Sequence, residues 1–174
     1  MDDNVLDELF DRLLASSDYE RRRAEVREFN AANRLLRKGI AITPVKFGIS
    51  FTSTLLNQAG ALVHVYRDGT VQLNHGGTEM GQGLYIKVAQ VVADELGVEV
   101  DRVRTTAADT SKVPNASATA ASSGADMNGK AAQKAAGKIR NRLTAFAAAK
   151  HAVSEAEVDF RDGKVYIAER IMEF

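Results

Sequence analysis

The sequence predicts an α+β fold of mixed helices and antiparallel hairpins, and three observations carry that expectation. Apolar residues recur at helical spacing in four segments. They alternate in two shorter ones, each closed by an Asp-Gly pair of the kind that turns one strand back on another. The order of these segments is two helices, a hairpin, a helix, a short strand, a long helix and a second hairpin, which is not a regular strand–helix repeat. With 174 residues, 45% of them hydrophobic, the chain can build one domain with a core, or two small lobes sharing one. Its 23 basic and 23 acidic side chains cancel, so no global field favours nucleic acid or a membrane surface as a partner. There is no cysteine, which excludes disulfides, thiolate-bound zinc and a cysteine nucleophile within this chain. No segment reads as a secretory leader, and none approaches the roughly 20 apolar residues of a membrane span. A cytoplasmic location is the expectation.

Over residues 2–15, Val5, Leu6, Leu9, Phe10, Leu13 and Leu14 share one helical face, with Asp2 and Asp3 suited to the cap. Ser17 and Glu20 have the spacing of a capping box for a second helix that turns Tyr19, Val26 and Phe29 inward and leaves its Glu/Arg run in water. Gly39 closes that unit, and the β-branched stretch from Ile40 to Phe51 reads as a strand limited by Pro44. Leu62, His64 and Tyr66 alternate with Val63 and Val65 before Asp68-Gly69, and Val71 and Leu73 continue the returning strand. Leu84, Val88, Val91 and Val92, with Ile86, Ala89, Ala93 and Leu96, predict a helix buried on most sides and ended by Gly97. Asp101–Asp109 reads as a short strand, followed by a long polar connection, TSKVPNASATAASSG. A long helix over about 125–150 aligns Met127, Ala131, Ala135, Ile139, Leu143 and Phe146, and a second hairpin turns at Asp162-Gly163. No linker divides the chain, and its stop at Phe174 leads to the expectation of a fragment.

Two segments are unusually poor in side-chain bulk. HGGTEMGQG leads into one long helix, and Ala120–Ala125 leads into the other. Bare backbone lets main-chain N–H groups approach a ligand, and a helix N-terminus adds unpaired donors and a field that favours negative charge. On composition alone this is an anion or cofactor site, or else a pair of capped turns in tight packing. The spacing matches neither a Walker loop nor the dinucleotide fingerprint.

The words GGTEMGQGL and VPNASATAASSGADMNG, with TPVKFGISF upstream, occur in the order and at the spacing of the xanthine oxidase family of molybdenum hydroxylases, and the chain closely resembles the molybdenum-binding subunits of that family. The likeness covers at least residues 39–142 and extends to SSDYERRRAEVREFNAAN. It implies that residues 1–174 are an internal fragment of a molybdopterin-binding domain, with N-terminal helices over 1–38 and an α+β core over 39–174. It further implies that Glu79, Met80, Gly81, Gln82 and Gly83 run along a molybdopterin cofactor carrying molybdenum. Ala120, Ala121, Ser122, Ser123, Gly124 and Ala125 would form the second contacting loop, with Ala121 beside the metal, where a larger side chain would collide. The metal would be held by the pterin's sulfurs, so no protein ligand to it is expected. The implied reaction is xanthine dehydrogenase-like hydroxylation of a purine, hypoxanthine or xanthine, with water as oxygen source. Iron–sulfur and FAD groups would reside on other parts of the assembly, and the remainder of the molybdenum subunit would be a partner. The family's GVGEP-like word with its basic glutamate is not among these residues, so the chain contributes no catalytic residue and is expected to be inactive alone. A non-catalytic binding module of the same fold, or a related aldehyde or N-heterocycle oxidoreductase, are the alternatives.

Other residues have plainer readings. Glu79 could be a general base, but a hydrogen-bonding role within its loop fits better, because sequence shows neither the burial nor the charged neighbour that would tune a base. His64 belongs to a strand surface. His75, just ahead of Gly76, is better placed, yet it has no partner at metal spacing. His151 suits a helix C-terminus. Asn115 heads a glycosylation triplet that a cytoplasmic chain would not use.

Overall fold

A computed structural model describes residues 4–45, 47–112 and 116–174. The expectations for Asp2 and Asp3 as caps, for Lys46 within TPVKFGISF, and for Val113, Pro114 and Asn115 lie outside the described residues. The chain forms two compact units, Met1–Phe47 and Gly48–Phe174. Among the described residues no helix is long and apolar enough to cross a membrane.

The first unit holds α1 (Leu6–Ser16) and α2 (Tyr19–Ala32). The Leu6 N–H donates to Asn4 Oδ1 at 3.2 Å, a local cap that the reading from Asp2 and Asp3 had passed over. The Ser17–Glu20 capping box does not form. The Ser17 hydroxyl instead donates back to Leu13 O at 2.6 Å, and Asp18 takes a left-handed conformation at φ 50° as the chain turns straight from α1 into α2. Tyr19, Val26 and Phe29 are half-buried. The strand expected over Ile40–Phe51 is absent from residues 40–45 and 47–51. Pro44 removes a ladder donor, and Phe51 is tied by a side chain instead: its N–H donates to Asn57 Oδ1 at 3.1 Å and its carbonyl accepts from Asn57 Nδ2 at 2.9 Å.

In the second unit β1 (Ala61–Val65) and β2 (Val71–His75) pair antiparallel, Val63 facing Leu73. Their turn is a three-residue connection: Gly69 N–H donates to Tyr66 O at 3.1 Å, Tyr66 N–H donates to Thr70 O at 2.8 Å, and Gly69 alone has positive φ, 77°. From β2 the chain passes through the cofactor-like segment into α3 (Leu84–Leu96) and returns as β3 (Val103–Thr105), which pairs parallel with β2. That parallel pair across a helix was not part of the antiparallel expectation, although the α+β class holds. Val63, Val71 and Leu73 from the sheet meet Leu84, Val88, Val92 and Leu96 from α3 in one core. Each such side chain, removed from water, contributes about 1.5–3 kcal/mol. Ile86 is 52% exposed, so α3 buries one face rather than most of its circumference.

The long helix α4 (Gly124–His151) follows β3 in chain order. Its buried residues are Asn128, Gly129, Ala132, Ala136, Ala147 and Ala148; of the stripe expected from sequence, Ala135 and Ile139 pack partly buried against the core, while Leu143 and Phe146 are exposed. The reason is steric: α4 packs against α3, and small residues let two helix backbones approach. Phe146, 64% exposed, falls on another face. The second sheet contains β4 (Val158–Arg161), β5 (Lys164–Ile167) and β6 (Arg170–Glu173), all antiparallel. Asp162 and Gly163 both have positive φ, 52° and 69°, as a two-residue hairpin requires. β6 had no sequence signal, because its turn carries Ala168 at φ 51° where a glycine would announce it.

Candidate functional site

The segment after β2 uses its glycines for two different purposes. A Cβ on Gly76 would lie 2.5 Å from the Ala116 Cβ, and one on Gly77 would lie 2.5 Å from Leu84 Cδ2 and 2.8 Å from Asn128 Nδ2. These two are bare because the protein's own packing reaches them. Gly81 and Gly83 are glycines for conformation, at φ 89° and 74°, and a Cβ on Gly81 would meet nothing within 4 Å.

Glu79 organises this loop. Its Oε1 accepts from the N–H groups of Gly81 (2.9 Å) and Gly83 (3.0 Å), and its Oε2 accepts from the Tyr85 N–H (3.0 Å). The carboxylate thus occupies the donors at the start of α3, and these bonds, the one from Tyr85 first, hold its pKa below the ordinary carboxylate range. A general base needs a lone pair free for the substrate's proton, and Glu79 has spent its oxygens on backbone. The hydrogen-bonding reading of Glu79 therefore fits the geometry. The expectation of open donors at this helix entrance does not, because Glu79 fills it. Gln82 folds over the same loop: its Oε1 accepts from the Met80 N–H at 2.6 Å and its Nε2 donates to Thr78 O at 2.9 Å. One amide hydrogen and one oxygen lone pair remain for a ligand.

The second segment is shaped by backbone strain. Ala121 and Ser122 are both left-handed, at φ 54° and 53°, a state costing non-glycine residues about 1–2 kcal/mol each. Ala121 O accepts from the Ser50 N–H at 2.9 Å, which pins the turn. A valine at Ala121 would be strained by this left-handed backbone before any ligand arrives. Ser123 is buried and its hydroxyl donates to Ala120 O at 3.0 Å, so it does not cap α4. With Met127 N–H bonded to Ser123 O, the N–H groups of Gly124, Ala125 and Asp126 have no acceptor among the described residues. One bond joins the two segments directly, from the Thr78 N–H to Thr119 Oγ1 at 2.8 Å.

Between the segments lies a cleft of about 350 Å³ lined by Met80, Gln82, Leu84, Lys87, Thr119, Ala120, Ser122, Gly124 and Ala125. Six of the eleven residues named from sequence are on its wall. Glu79, Gly81, Gly83, Ala121 and Ser123 belong to the two loops without lining it. Sequence reasoning missed Lys87. Its Cε lies 4.0 Å from where a Gly83 Cβ would be, so the side chain runs back toward the start of α3, as helical side chains do. A lysine one turn past a glycine-rich entrance was the available signal. Among the described residues Lys87 is the one charged side chain on the wall, and with the amides at the start of α4 it makes the cleft receptive to a polar, anionic group. Such a donor set fits a phosphate-bearing pterin. Among the described residues no three His, Asp or Glu side chains gather as a metal-holding group.

His75 is buried against Tyr85, their ring centroids 5.3 Å apart. Its Nδ1 accepts the Gly77 N–H at 3.1 Å, which places the ring proton on Nε2, and Nε2 has no partner among the described residues. Desolvation pushes its pKa below the usual histidine value. Because the folded pKa is the lower one, the full contribution of neutral His75 is present above about pH 6.5. It is lost below that, as the unfolded chain takes up a proton that the native state refuses, at up to about 1.4 kcal/mol per pH unit. Urea unfolding of wild type between pH 7 and pH 5.5 is expected to show this loss and His75→Gln to remove it; equal slopes in both proteins would contradict the assignment. His64 stands on the outer face of β1 against Tyr66, with ring centroids 4.6 Å apart. His151 ends α4, its Nδ1 3.1 Å from the Arg170 guanidinium.

The molybdopterin cofactor-binding domain family matches residues 12–174. Xanthine dehydrogenase/oxidase of Mus musculus is 50% identical over 142 residues, covering 82% of this chain and 11% of its own length. Nicotinate hydroxylase of Emericella nidulans is also 50% identical, over 149 residues, with 82% and 11% covered. The chain therefore spans about a tenth of the length of these curated relatives. Among solved structures, quinoline 2-oxidoreductase from Pseudomonas putida 86 has a TM-score of 0.61 at 26% identity, over 66% of this chain and 15% of that one. A Cu,Mo-CO dehydrogenase has a TM-score of 0.60 at 24% identity, over 67% and 15%, a likeness of fold alone.

Proposed function

The chain belongs to the molybdopterin cofactor-binding domain family, and we propose that its cleft holds one side of molybdopterin in a xanthine dehydrogenase-like molybdenum hydroxylase. The observation that carries this reading is that Gln82 and Ser122, from segments forty residues apart, line the same cleft. Bound there, the molybdenum cofactor supplies a two-electron sink for hydroxylating an electron-poor ring carbon with water as oxygen source. The chain's residues bind and orient it. Gln82 offers its remaining amide hydrogen, Ser122 and the first turn of α4 offer main-chain N–H groups, and Lys87 offers positive charge to the cofactor's phosphate. Glu79 holds the first loop in shape without touching the reacting atoms.

A purine is the proposed substrate. Equal identity to the xanthine dehydrogenase/oxidase and to the nicotinate hydroxylase favours, as a second reading, another N-heterocycle at the same site. The general base, the iron–sulfur and FAD groups and the rest of the molybdenum subunit belong to other parts of the proposed assembly, and the isolated 174 residues do not turn over. The test uses the complete protein that contains this chain, scored for molybdenum by elemental analysis and for released pterin by fluorescence. Gln82→Ala is expected to lower both about tenfold, the worth of one ligand hydrogen bond in affinity. Asp162→Asn, in the distant hairpin and tolerant of its left-handed conformation, leaves both unchanged. Equal content in the two variants contradicts the proposal, and turnover of xanthine, hypoxanthine or nicotinate by the wild type decides the substrate.

A further inference from the structure

Asn128, in the second turn of α4 and 6% exposed, stands behind the cleft wall. Its Nδ2 donates to Gly124 O at 2.8 Å, while its Oδ1 is buried with no donor among the described residues. An amide oxygen taken out of water demands a donor. Three stretches close around this side chain. Gly77 approaches so near that a Cβ there would lie 2.8 Å from Asn128 Nδ2. Ser117 binds the third stretch, its N–H donating to Gln58 O at 3.0 Å and its hydroxyl donating to Leu56 O. Thr119 Oγ1 accepts from Thr78, and the Thr119 hydroxyl hydrogen has no acceptor among the described residues. Asn128, Ser117, Thr119 and Ser123 border a polar crevice of about 10 Å³, room for one water molecule.

We propose that this crevice binds a single structural water, which accepts from the Thr119 hydroxyl and donates to Asn128 Oδ1. Asn128 is thereby the positioning residue that sets the spacing between the two segments flanking the cleft. The water site stands on the crevice alone; its consequence for cofactor binding rests on the proposed function. A bound water satisfies both orphaned groups at once, the free hydroxyl hydrogen and the buried amide oxygen. A metal cation could satisfy only the oxygen.

Two variants of the complete protein separate this role from simple helix support. Asn128→Leu keeps the branched heavy-atom outline, is somewhat bulkier, and removes both polar atoms. Asn128→Ser keeps a hydroxyl that can bond back to the carbonyl of Gly124 but cannot fill the crevice side. In hydrogen exchange, peptides over 76–83 and 117–124 are expected to exchange about tenfold faster in both variants, while residues 88–96 and 158–167 stay as in wild type. A crystal structure of the complete protein should show one water within hydrogen-bonding distance of Asn128 Oδ1. Loosening confined to 124–128, wild-type behaviour of Asn128→Ser, an empty crevice, or a cation ringed by oxygens would each overturn the proposal. A complete protein that lacks pterin yet shows the paired loosening would refute the function and leave this inference standing.

Discussion

Gly97→Ala is expected to be the most damaging single substitution in the second unit, costing about 3–5 kcal/mol and leaving little folded protein. Gly97 ends α3 at φ 67°, with Val98 N–H bonded to Ala93 O at 3.0 Å and its own N–H bonded to Asp94 O at 3.2 Å, the paired bonds of a Schellman cap. The same residue is where the second sheet touches: a Cβ would lie 2.2 Å from Phe160 O and 2.6 Å from Arg161 N, and Gly97 O accepts from the Gly163 N–H at 2.8 Å. An alanine must therefore pay for a left-handed backbone and push main chain aside. Gly163→Ala is the control, because its φ is 69° but nothing lies within 4 Å of a Cβ there. Thermal unfolding should separate the two variants, with the control losing about 1 kcal/mol. Equal losses would mean that the close approach at Gly97 carries no energy.

Glu79→Ala is expected to have the largest effect on the cleft. Removing the carboxylate strands the N–H groups of Gly81, Gly83 and Tyr85, which it now satisfies. The loop that carries Met80 and Gln82 then has no anchor at the start of α3. Molybdenum and pterin content of the complete protein should fall by at least about tenfold, further than in Gln82→Ala, since three charge-assisted bonds are lost and not one. Glu79→Gln, which keeps a carbonyl acceptor, should fall between wild type and alanine. Because its folded pKa lies below the ordinary carboxylate value, the anchor survives mild acid and is lost only as pH falls through that lowered pKa. Full cofactor content in Glu79→Ala would show that the loop does not depend on it.

The turns and helix ends were legible where a residue type has one conformational use. Asp68-Gly69, Asp162-Gly163 and Gly97 announce themselves, and each stands at a turn or cap. What sequence could not weigh was competition between partners. Ser17 has the spacing of a capping box, but its hydroxyl bonds back to the Leu13 carbonyl instead. Ile40–Phe51 has strand-forming residues, but among the described residues none of them joins a sheet ladder. In α4 the many alanines announce a close approach of another backbone but not which of them face it: the contact with α3 buries Ala132 and Ala136 fully and Ala135 only in part. The candidate site divides in the same way. Bulk-poor segments mark both of its walls, yet only coordinates separate Gly76 and Gly77, crowded by Ala116 and Leu84, from Gly81 and Gly83, bare for their backbone angles. Lys87 is signalled only by its place one turn past the glycine-rich entrance, and its bearing on the cleft depends on the side chain running back toward the start of α3.

The most direct test is an experimental structure of the complete, cofactor-loaded protein. A pterin lying between the Gln82 side chain and the Ser122 main chain, its phosphate within reach of Lys87, is the predicted result. A pterin bound elsewhere, with solvent alone between those two loops, would contradict the account.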